Sequence, residues 1–315
     1  MMRFPITNLL DENVCFQALL NVLHDGVLKC PKNHPLPVDQ QPHDRGRRIA
    51  ISKFKCRKCG KVFNLFTGTI WCGTHHDCRT IILIMRGFAQ GIPTLHLAKE
   101  LKLDFSTLLD RRHRIQELGL EHKPTDALSD EQTEADEMFQ NSGEKGTPHL
   151  DPDDPPRKRA NKFKGRGTME NDRPPVLGIV GRTSGQIRLT VCDNTKQQTI
   201  QPKVENGTDK DTTLFTDECS AYNHVGDTGR GHATVCHSKK EWARDDDGDG
   251  VREVHCNTME GIWTGLRNFL RPFRGVNKKY LPQYVAMFEW AHNIKEVTAN
   301  FLKSLMVPGF TCLPT

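Results

Sequence analysis

An ordered run of short apolar segments after residue 132 constrains the fold of this chain more than any other feature. Five segments have the length and the residue types of β-strands, and turn residues separate them. They cover residues 133–140, 174–182, 186–193, 212–217 and 232–238. Residues 197–204 have a helical pattern that Pro202 shortens or bends. The predicted order is three strands, helix, strand, helix, strand and a long helix, which is typical of a mixed α/β layer.

The long helix predicted over residues 255–273 has one apolar face. That face consists of Met259, Ile262, Leu266, Phe269 and Phe273. Glu260 and Arg267 are seven residues apart and therefore share a line about 100° away from the apolar face. Their side chains can reach the edge of a core while they contact solvent or a metal ion. Asn257 and Glu260 also match a capping box, and this stretch by itself favours a cap.

Three carboxylates lie on separate elements of this α/β segment: Asp136 in the first strand, Asp217 at the end of the fourth strand, and Glu260 in the long helix. Hard oxygen ligands suit two Mg²⁺ or Mn²⁺ ions roughly 3.5–4 Å apart, which promote displacement at phosphorus. Each acid also has an ordinary explanation, as one residue of an acidic stretch, as a turn former and as a helix cap. The three acids together, in this order, favour the two-metal site.

Two cysteine-bearing turns in residues 28–75 outline a zinc ribbon, in which thiolates converge on one tetrahedral ion. Cys30, Cys56 and Cys59 are three of the ligands, but Asn33 stands where a fourth cysteine is expected. His34 is adjacent and could supply the last ligand. The alternative is a ribbon that has lost its metal and is held together by packing. Because the eleven cysteines are odd in number and scattered, we expect reduced thiols rather than disulfides.

The pattern of residues 78–120 predicts three short helices that together form a helix-turn-helix domain. Gly91 ends the first helix, Pro93 begins the second, and Ser106 is the expected N-cap of the third. The third helix is rich in arginines that could reach DNA bases or phosphates in a major groove. These arginines are Arg111, Arg112 and Arg114. Any small helical bundle could have the same pattern, but its place directly after a ribbon favours DNA binding.

The net charge of +5 permits a polyanionic partner without requiring one, so the position of the charge matters more. The segment 157–166, "RKRANKFKGR", places six cations in ten residues, within a Pro- and Gly-containing arm at 141–173. Five of these cations are candidate DNA contacts: Arg157, Lys158, Arg159, Lys162 and Lys164. Such a cluster is more often a solvated, mobile face.

The N-terminal segment contains Asp11 and Glu12 where a secretory leader needs an uninterrupted apolar run. No window approaches eighteen consecutive apolar residues. We therefore expect an intracellular protein without a membrane partner.

Six segments together resemble the ISXO-type transposases of bacterial insertion sequences, which belong to the DDE superfamily. They are "CRKCGKVFNLFTGTIW", "GIPTLHLAKELKL…RRHRIQE", "ADEMFQNSGEKG", "TLFTDECSAY", "HATVCHSKKEW" and "VHCNTMEGIWTGLRNFL". The similarity extends from about Leu28 to Asn293, which is nearly the whole chain.

The resemblance implies a multidomain α/β protein: a zinc ribbon, a helix-turn-helix and an RNase H-like mixed sheet with flanking helices that holds a DDE triad. It implies two Mg²⁺ or Mn²⁺ ions, Zn²⁺ in the ribbon, and double-stranded DNA as partner, both the terminal inverted repeats and the target. A homo-oligomer on DNA and a cytoplasmic, nucleoid-associated location follow from the same resemblance. Arg267 occupies the family's basic position after the third acid, while His237, His255 and Asn257 match residues with supporting roles.

The expected domain boundaries follow from these motifs. Residues 1–27 form an N-terminal helix or extension, 28–75 the ribbon, 78–120 the helix-turn-helix, 121–133 a linker, 134–300 the catalytic domain with the basic insertion 141–173, and 301–315 a C-terminal tail.

The segment 245–253, "DDDGDGVRE", imitates the start of an EF-hand loop, but Cys256 stands at the twelfth position, so we interpret it as an acidic turn. Two competing hypotheses remain for the whole chain. One is a catalytically inactive, transposase-derived DNA-binding protein, and the other is an RNase H-like nuclease without strand transfer.

Overall fold

The computed structural model describes residues 11–43, 52–153, 166–294 and 296–310. The chain divides into two compact units, Met1–His122 with Ile294–Thr315, and Lys123–Asn293. Five candidate DNA contacts of the basic arm lie outside the described residues: Arg157, Lys158, Arg159, Lys162 and Lys164.

The helices and strands follow one another along the described parts of the chain. The helices are α1 (Glu12–His24), α2 (Cys78–Ala89), α3 (Thr94–Leu101), α4 (Phe105–Glu121), α5 (Gln197–Gly207), α6 (Asn257–Leu270), α7 (Leu281–Asn293) and α8 (Ala299–Met306). The strands are β1 (Phe54–Lys55), β2 (Val62–Phe63), β3 (Gln132–Phe139), β4 (Pro175–Gly181), β5 (Ile187–Val191), β6 (Thr213–Asp217), β7 (Gly231–Val235), β8 (Ala243–Arg244) and β9 (Val254–His255).

The first unit combines helices α1 to α4 and α8 with the small hairpin β1–β2. Its largest buried side chains include Leu19, Phe66, Trp71, Phe88 and Phe301. Helix α8 packs against α1 and α4, and the Ile70 N–H donates to the Met306 carbonyl at 2.9 Å. The C-terminal segment, for which the sequence suggests a tail, thus contributes a helix to this core.

The ends of the three helices α2 to α4 follow local turn chemistry. Gly91 has φ +71° directly after α2, and Pro93 precedes the first residue of α3, as predicted. The prediction of Ser106 as the N-cap of α4 is wrong. Asp104 holds that position, because its carboxylate accepts the Thr107 N–H at 2.8 Å, and a carboxylate also favours the positive end of the helix dipole.

The second unit is built on a five-stranded sheet in the order β5-β4-β3-β6-β7. Strand β4 is antiparallel to both neighbours, whereas β3, β6 and β7 are parallel. All five predicted strands are confirmed, as is helix α5 with Pro202 inside it. The predicted helix between β6 and β7 is wrong: two three-residue 3-10 turns, Ser220–Tyr222 and Gly226–Thr228, occupy that connection.

Helices cover both faces of this sheet. On one face, α6 and α7 form a core with Met138 of β3. On the other face, α5 and the first 3-10 turn form a core with Ala135 of β3. Side chains of β3 alternate between the two cores, because successive residues of a strand point to opposite faces.

The segment before β3 belongs to this unit, although the sequence suggests a linker there. Leu128 is buried in the α5 core and forms a bridge with Thr208. The Asp130 carboxylate accepts the N–H groups of Thr183 and Ser184 at 2.9 and 2.7 Å, which closes the β4–β5 turn.

Candidate functional site

Asp136 and Asp217 lie side by side on adjacent parallel strands. The register pairs Glu134 of β3 with Phe215 of β6, and Asp136 and Asp217 each follow two residues after this last pair. Partners in a parallel ladder point to the same face of the sheet, and neighbouring strands are about 4.8 Å apart. Strand β6 ends at Asp217, and the charge of Asp217 acts on the pKa of Asp136.

Helix α6, which carries Glu260, is bonded to Asp136 through Trp263. The Trp263 indole Nε1 donates a hydrogen bond to Asp136 Oδ2 at 2.7 Å. Glu260 is exposed and lies one helical turn before Trp263. Gly178, the partner of Asp136 on β4, permits this close approach, because a Cβ there would lie 2.3 Å from Met259 and 2.5 Å from Trp263.

The charges of Asp217 and Glu260 both act on the pKa of Asp136. Burial, followed by the charges of Asp217 and Glu260, raises the pKa of Asp136 to about 6, although the Trp263 hydrogen bond acts in the opposite direction. Within the described ranges, the oxygens of the three carboxylates do not all lie within 4.8 Å of one another.

Glu134 fixes the start of α6 from strand β3. Its buried carboxylate accepts the Met259 N–H at 3.0 Å and the Thr258 hydroxyl at 2.8 Å. Asn257 is the first residue of α6, and the preceding N-cap residue makes no side-chain capping bond. The capping-box interpretation of Glu260 thus fails, because Glu134 satisfies the helix terminus instead.

Arg182, at the end of β4, completes this anchor. Its Nε donates to Glu134 Oε1 at 2.9 Å, and its two terminal nitrogens donate to the carbonyls of Glu253 and His255 at 2.7 Å each. The guanidinium also lies over the Phe215 ring, 3.9 Å from the centroid. The sequence offered one signal for Glu134, its position two residues before Asp136 on the same strand face, but no local signal for Arg182.

On the opposite face of β3, Glu137 faces the hydroxyl of the fully buried Tyr222. Burial raises the pKa of Glu137 to about 7, and the charges of Asp136 and Asp217 act in the same direction. No sequence motif marks this carboxyl, which adds a second protonatable group near the aspartates.

In the first unit, Cys30, His34, Cys56 and Cys59 form one cluster in which all four ligand atoms lie within 4.8 Å of one another. Cys30 Sγ is 3.5 Å from His34 Nδ1 and 3.6 Å from Cys59 Sγ, and Cys56 Sγ is 3.6 Å from His34 Nδ1. Ligands bound tetrahedrally to zinc at 2.0–2.3 Å stand about 3.5–3.8 Å apart. The donor set and its spacing therefore fit Zn²⁺.

Asn33 has a conformational role in this cluster. It adopts φ +61°, a left-handed conformation that asparagine tolerates better than most residues. The Asn33 N–H donates to the Cys30 carbonyl at 2.7 Å, and the Cys30 N–H donates to the His34 carbonyl at 2.9 Å. This turn directs His34, one residue later, toward the three thiols.

Comparison with known proteins identifies the second unit. Residues 127–293, just over half of the chain, match the model of the ISXO2-like transposase domain. The chain belongs to the ISXO2-like transposase family. It is also similar to the "Uncharacterized protein in transposable element ISH50" of Halobacterium salinarum (strain ATCC 700922 / JCM 11081 / NRC-1), with 26% identity over 287 residues, 90% of this chain and 92% of that protein.

The matched transposase domain contains all three predicted acids, Asp136, Asp217 and Glu260, whereas the cysteine cluster lies outside it. The resemblance inferred from the motifs is therefore confirmed, and a divalent-metal site is what a DDE-type family suggests. In the described parts of the chain no helix is both long and apolar enough to cross a membrane.

The three residues expected to support the transposase site have different surroundings. His255 Nδ1 lies 3.2 Å from Glu134, and burial, with the charge of Arg182, lowers the pKa of His255. His237 follows β7 and packs against Trp242, with ring centroids 4.9 Å apart. The third, Asn257, is exposed at the first turn of α6.

The three arginines of α4 have different environments. Arg112 is fully buried, where its Nε donates to Thr94 Oγ1 at 2.8 Å and its guanidinium lies 4.1 Å from the Phe88 ring centroid. Arg111 is partly buried over the Trp71 ring, whereas Arg114 is exposed. Arg112 thus holds the helices together in this unit, and it is Arg114 whose charge faces solvent.

The acidic turn at 245–253 brings Asp245, Asp247 and Glu253 within 4.8 Å of one another. The Asp245 carboxylate accepts the N–H groups of Gly248 and Gly250 at 2.6 and 2.9 Å. These backbone bonds lower the pKa of Asp245 and shape the turn.

Proposed function

We propose that this protein is a DNA transposase in which Asp136, Asp217 and Glu260 form a DDE triad. The observation that supports this most is the pair of adjacent aspartates with Trp263 of α6 bonded to one of them. Water, and then the freed 3′-hydroxyl, would act as nucleophiles at phosphodiester bonds of the transposon ends and the target.

The chemistry of the site suits two Mg²⁺ or Mn²⁺ ions. Asp136, Asp217 and Glu260 would hold the ions, and the charges of Asp217 and Glu260 both act on the pKa of Asp136. When bound, the ions neutralise the acids and supply the charge that activates the attacking and leaving oxygens.

The sheet supports an RNase H-like assignment for the second unit. In its order β3 is central, with β4 and β5 antiparallel on one side and β6 and β7 parallel on the other, and Asp136 and Asp217 lie on the neighbouring strands β3 and β6. The anchor of Glu134 and Arg182 would hold α6, and hence Glu260, at a fixed distance from the aspartates.

We further propose that the first unit recognises the terminal inverted repeats. The Cys30, His34, Cys56 and Cys59 cluster would hold Zn²⁺ in a ribbon. Helices α2 to α4 would form a helix-turn-helix, in which exposed Arg114 contacts DNA and partly buried Arg111 supports it. The basic arm at 157–166 would add phosphate contacts, and a homo-oligomer would bring two ends together.

The test is incubation of the whole protein with a duplex carrying the inverted repeat that flanks its gene, in Mg²⁺ or Mn²⁺. A transposase produces nicks and joined products, an RNase H-like nuclease only nicks, and an inactive DNA-binding protein neither. Asp217→Asn should abolish nicking and spare end binding, because it removes a metal ligand and leaves the first unit intact. Nicking by Asp217→Asn at the wild-type rate would refute the site assignment.

A further inference from the structure

A groove of about 380 Å³ lies between the loop after β3 and the C-terminal end of α6. Its lining includes Gln140, Asn141, Arg267, Arg271 and Val276. Arg267 and Arg271 are separated by one helical turn and therefore point the same way. No carboxylate is among the residues that line the groove.

The groove continues the line of the proposed active site. Helix α6 runs along β3, since Met259 contacts Glu134 and Trp263 contacts Asp136. Gln140 is four residues beyond Asp136, about 13 Å at 3.3 Å per residue. Along the helix, Arg267 is about 10 Å and Arg271 about 16 Å beyond Glu260.

The groove has the chemistry of a phosphate-binding surface. Both guanidinium groups are exposed, and within the described part of the chain neither forms an ion pair. Arginine presents several donors in a plane that matches the oxygens of a phosphate. The amides of Gln140 and Asn141 add neutral donors and acceptors, which suit a sugar-phosphate backbone but not one particular base.

The walls of the groove are held together by side chains from the loop. Lys145 Nζ donates to the carbonyls of Phe273, Arg274 and Gly275 at 2.8, 3.1 and 3.1 Å. The Ser142 hydroxyl donates to the Val276 carbonyl at 2.6 Å. These bonds tie the loop after β3 to the turn after α6, so the groove is formed before anything enters it.

We propose that this groove binds the backbone of one DNA strand, with Arg271 and Asn141 at a phosphate about three to five nucleotides from the one at the carboxylates. The distance follows from a separation of about 10–16 Å measured along the duplex axis, with a rise of about 3.4 Å per nucleotide. The proposal rests on the proposed function in one respect, that the partner is DNA cut at the triad. It assigns to Arg271, Gln140 and Asn141 a task separate from the chemistry.

The first test measures binding of the full chain to the inverted-repeat duplex without divalent metal, over a series of salt concentrations. Arg271→Gln should reduce the slope of log K against log salt by about 1, because one phosphate contact is lost. Arg274→Gln is the matched control, since Arg274 is exposed in the same turn but does not line the groove. Its slope should equal that of the wild type, and equal slopes for all three proteins would overturn the proposal.

The second test locates the phosphate. A neutral methylphosphonate is placed singly at the second to sixth phosphates from the cleaved bond. At the position in the groove it should weaken wild-type binding several-fold and leave Arg271→Gln unaffected, because the same contact is already absent. If the methylphosphonate at every position weakens DNA binding by the wild type and by Arg271→Gln equally, the groove does not hold the strand.

These binding results are independent of cleavage. If the protein cuts no DNA but shows the position-specific loss, the groove assignment stands and the proposed chemistry fails. If it cuts DNA while Arg271→Gln binds as the wild type does, the chemistry stands and the groove assignment fails.

Discussion

The indole nitrogen of Trp263 donates to the Asp136 carboxylate at 2.7 Å, and this bond connects α6 to the central strand of the sheet. This bond fixes the distance between α6 and β3, and therefore the position of Glu260, which lies one helical turn before Trp263. It also favours the ionised form of Asp136, which burial and two neighbouring charges oppose.

Trp263→Phe should keep the packing but lose this bond. Without the donor, the pKa of Asp136 rises further above about 6, so less of the carboxylate is available to bind metal at neutral pH. We expect DNA nicking to fall about tenfold at pH 7 and to recover partly at pH 8.5, measured with Mg²⁺ at several concentrations. Trp242→Phe, at an exposed tryptophan, is the control and should nick at the wild-type rate. A Trp263→Phe profile that matches the wild type at every pH would contradict this account.

Glu134→Gln tests the anchor of α6. The change leaves Arg182 buried beside a neutral partner, so the free energy of unfolding should fall by about 3–5 kcal/mol. Because α6 carries Glu260, the affinity for Mn²⁺ should also fall by about 10–100-fold. Chemical denaturation and Mn²⁺ titration measure the two effects.

Glu131→Gln, at an exposed position just before β3, is the matched control and should change the unfolding free energy by less than about 0.5 kcal/mol. A folded Glu134→Gln protein with wild-type Mn²⁺ affinity would show that the anchor does not position the site.

The raised pKa of Asp136 predicts that the stability of the metal-free protein depends on pH. Its folded pKa of about 6 lies above the usual value near 4, so the folded state binds its proton more tightly than the unfolded state does. The resulting stabilisation is complete below about pH 4 and is lost as the pH rises to about 6. Asp136→Asn should therefore be more stable than the wild type at pH 7, by up to about 3 kcal/mol, and lack this dependence.

Mg²⁺ should raise the melting temperature of the wild type at pH 7, since it replaces the missing proton, and should have little effect on Asp136→Asn. Asp211→Asn, at an exposed position, provides the control for the loss of one surface charge. Equal stabilities of Asp136→Asn and the wild type across pH 4–7 would contradict the assignment.

The cysteine cluster predicts one tightly bound Zn²⁺ per chain. His34→Ala should lose it and lower the melting temperature of the first unit, because the ion links the two halves of a small ribbon. Asn33→Gly should retain it, since glycine adopts the left-handed conformation of residue 33 without strain. Metal content and thermal unfolding with and without chelator measure both. Full zinc occupancy in His34→Ala would exclude His34 as a ligand.

Local patterns were sufficient for much of the fold. Short apolar segments of strand-forming residues predicted the strands of the sheet, and a repeat at helical spacing predicted α6, because burial of apolar side chains selects both patterns. Ser106 was mistaken for a cap because two capping residues, Asp104 and Ser106, stand close together and the sequence does not show which one adopts the extended backbone.

Local sequence patterns do not reveal contacts between residues that are far apart along the chain. Glu260 matched a capping box, and only the packing of α6 on β3 shows that Glu134, more than a hundred residues away, satisfies the helix terminus. Arg112 matched a DNA-contacting arginine, and only its burial against Phe88 shows a structural role. In both cases the same charged side chain fits either role, and only its contacts in the folded protein distinguish the two roles.

The most direct test of the central claim, that the acids at 136, 217 and 260 hold metal together, is cleavage of the polypeptide by radicals from bound Fe²⁺, which occupies similar oxygen sites. In the DNA complex with ascorbate and peroxide, we expect cuts near all three positions that excess Mg²⁺ suppresses together. Cuts near 136 and 217 without any near 260 would contradict the account.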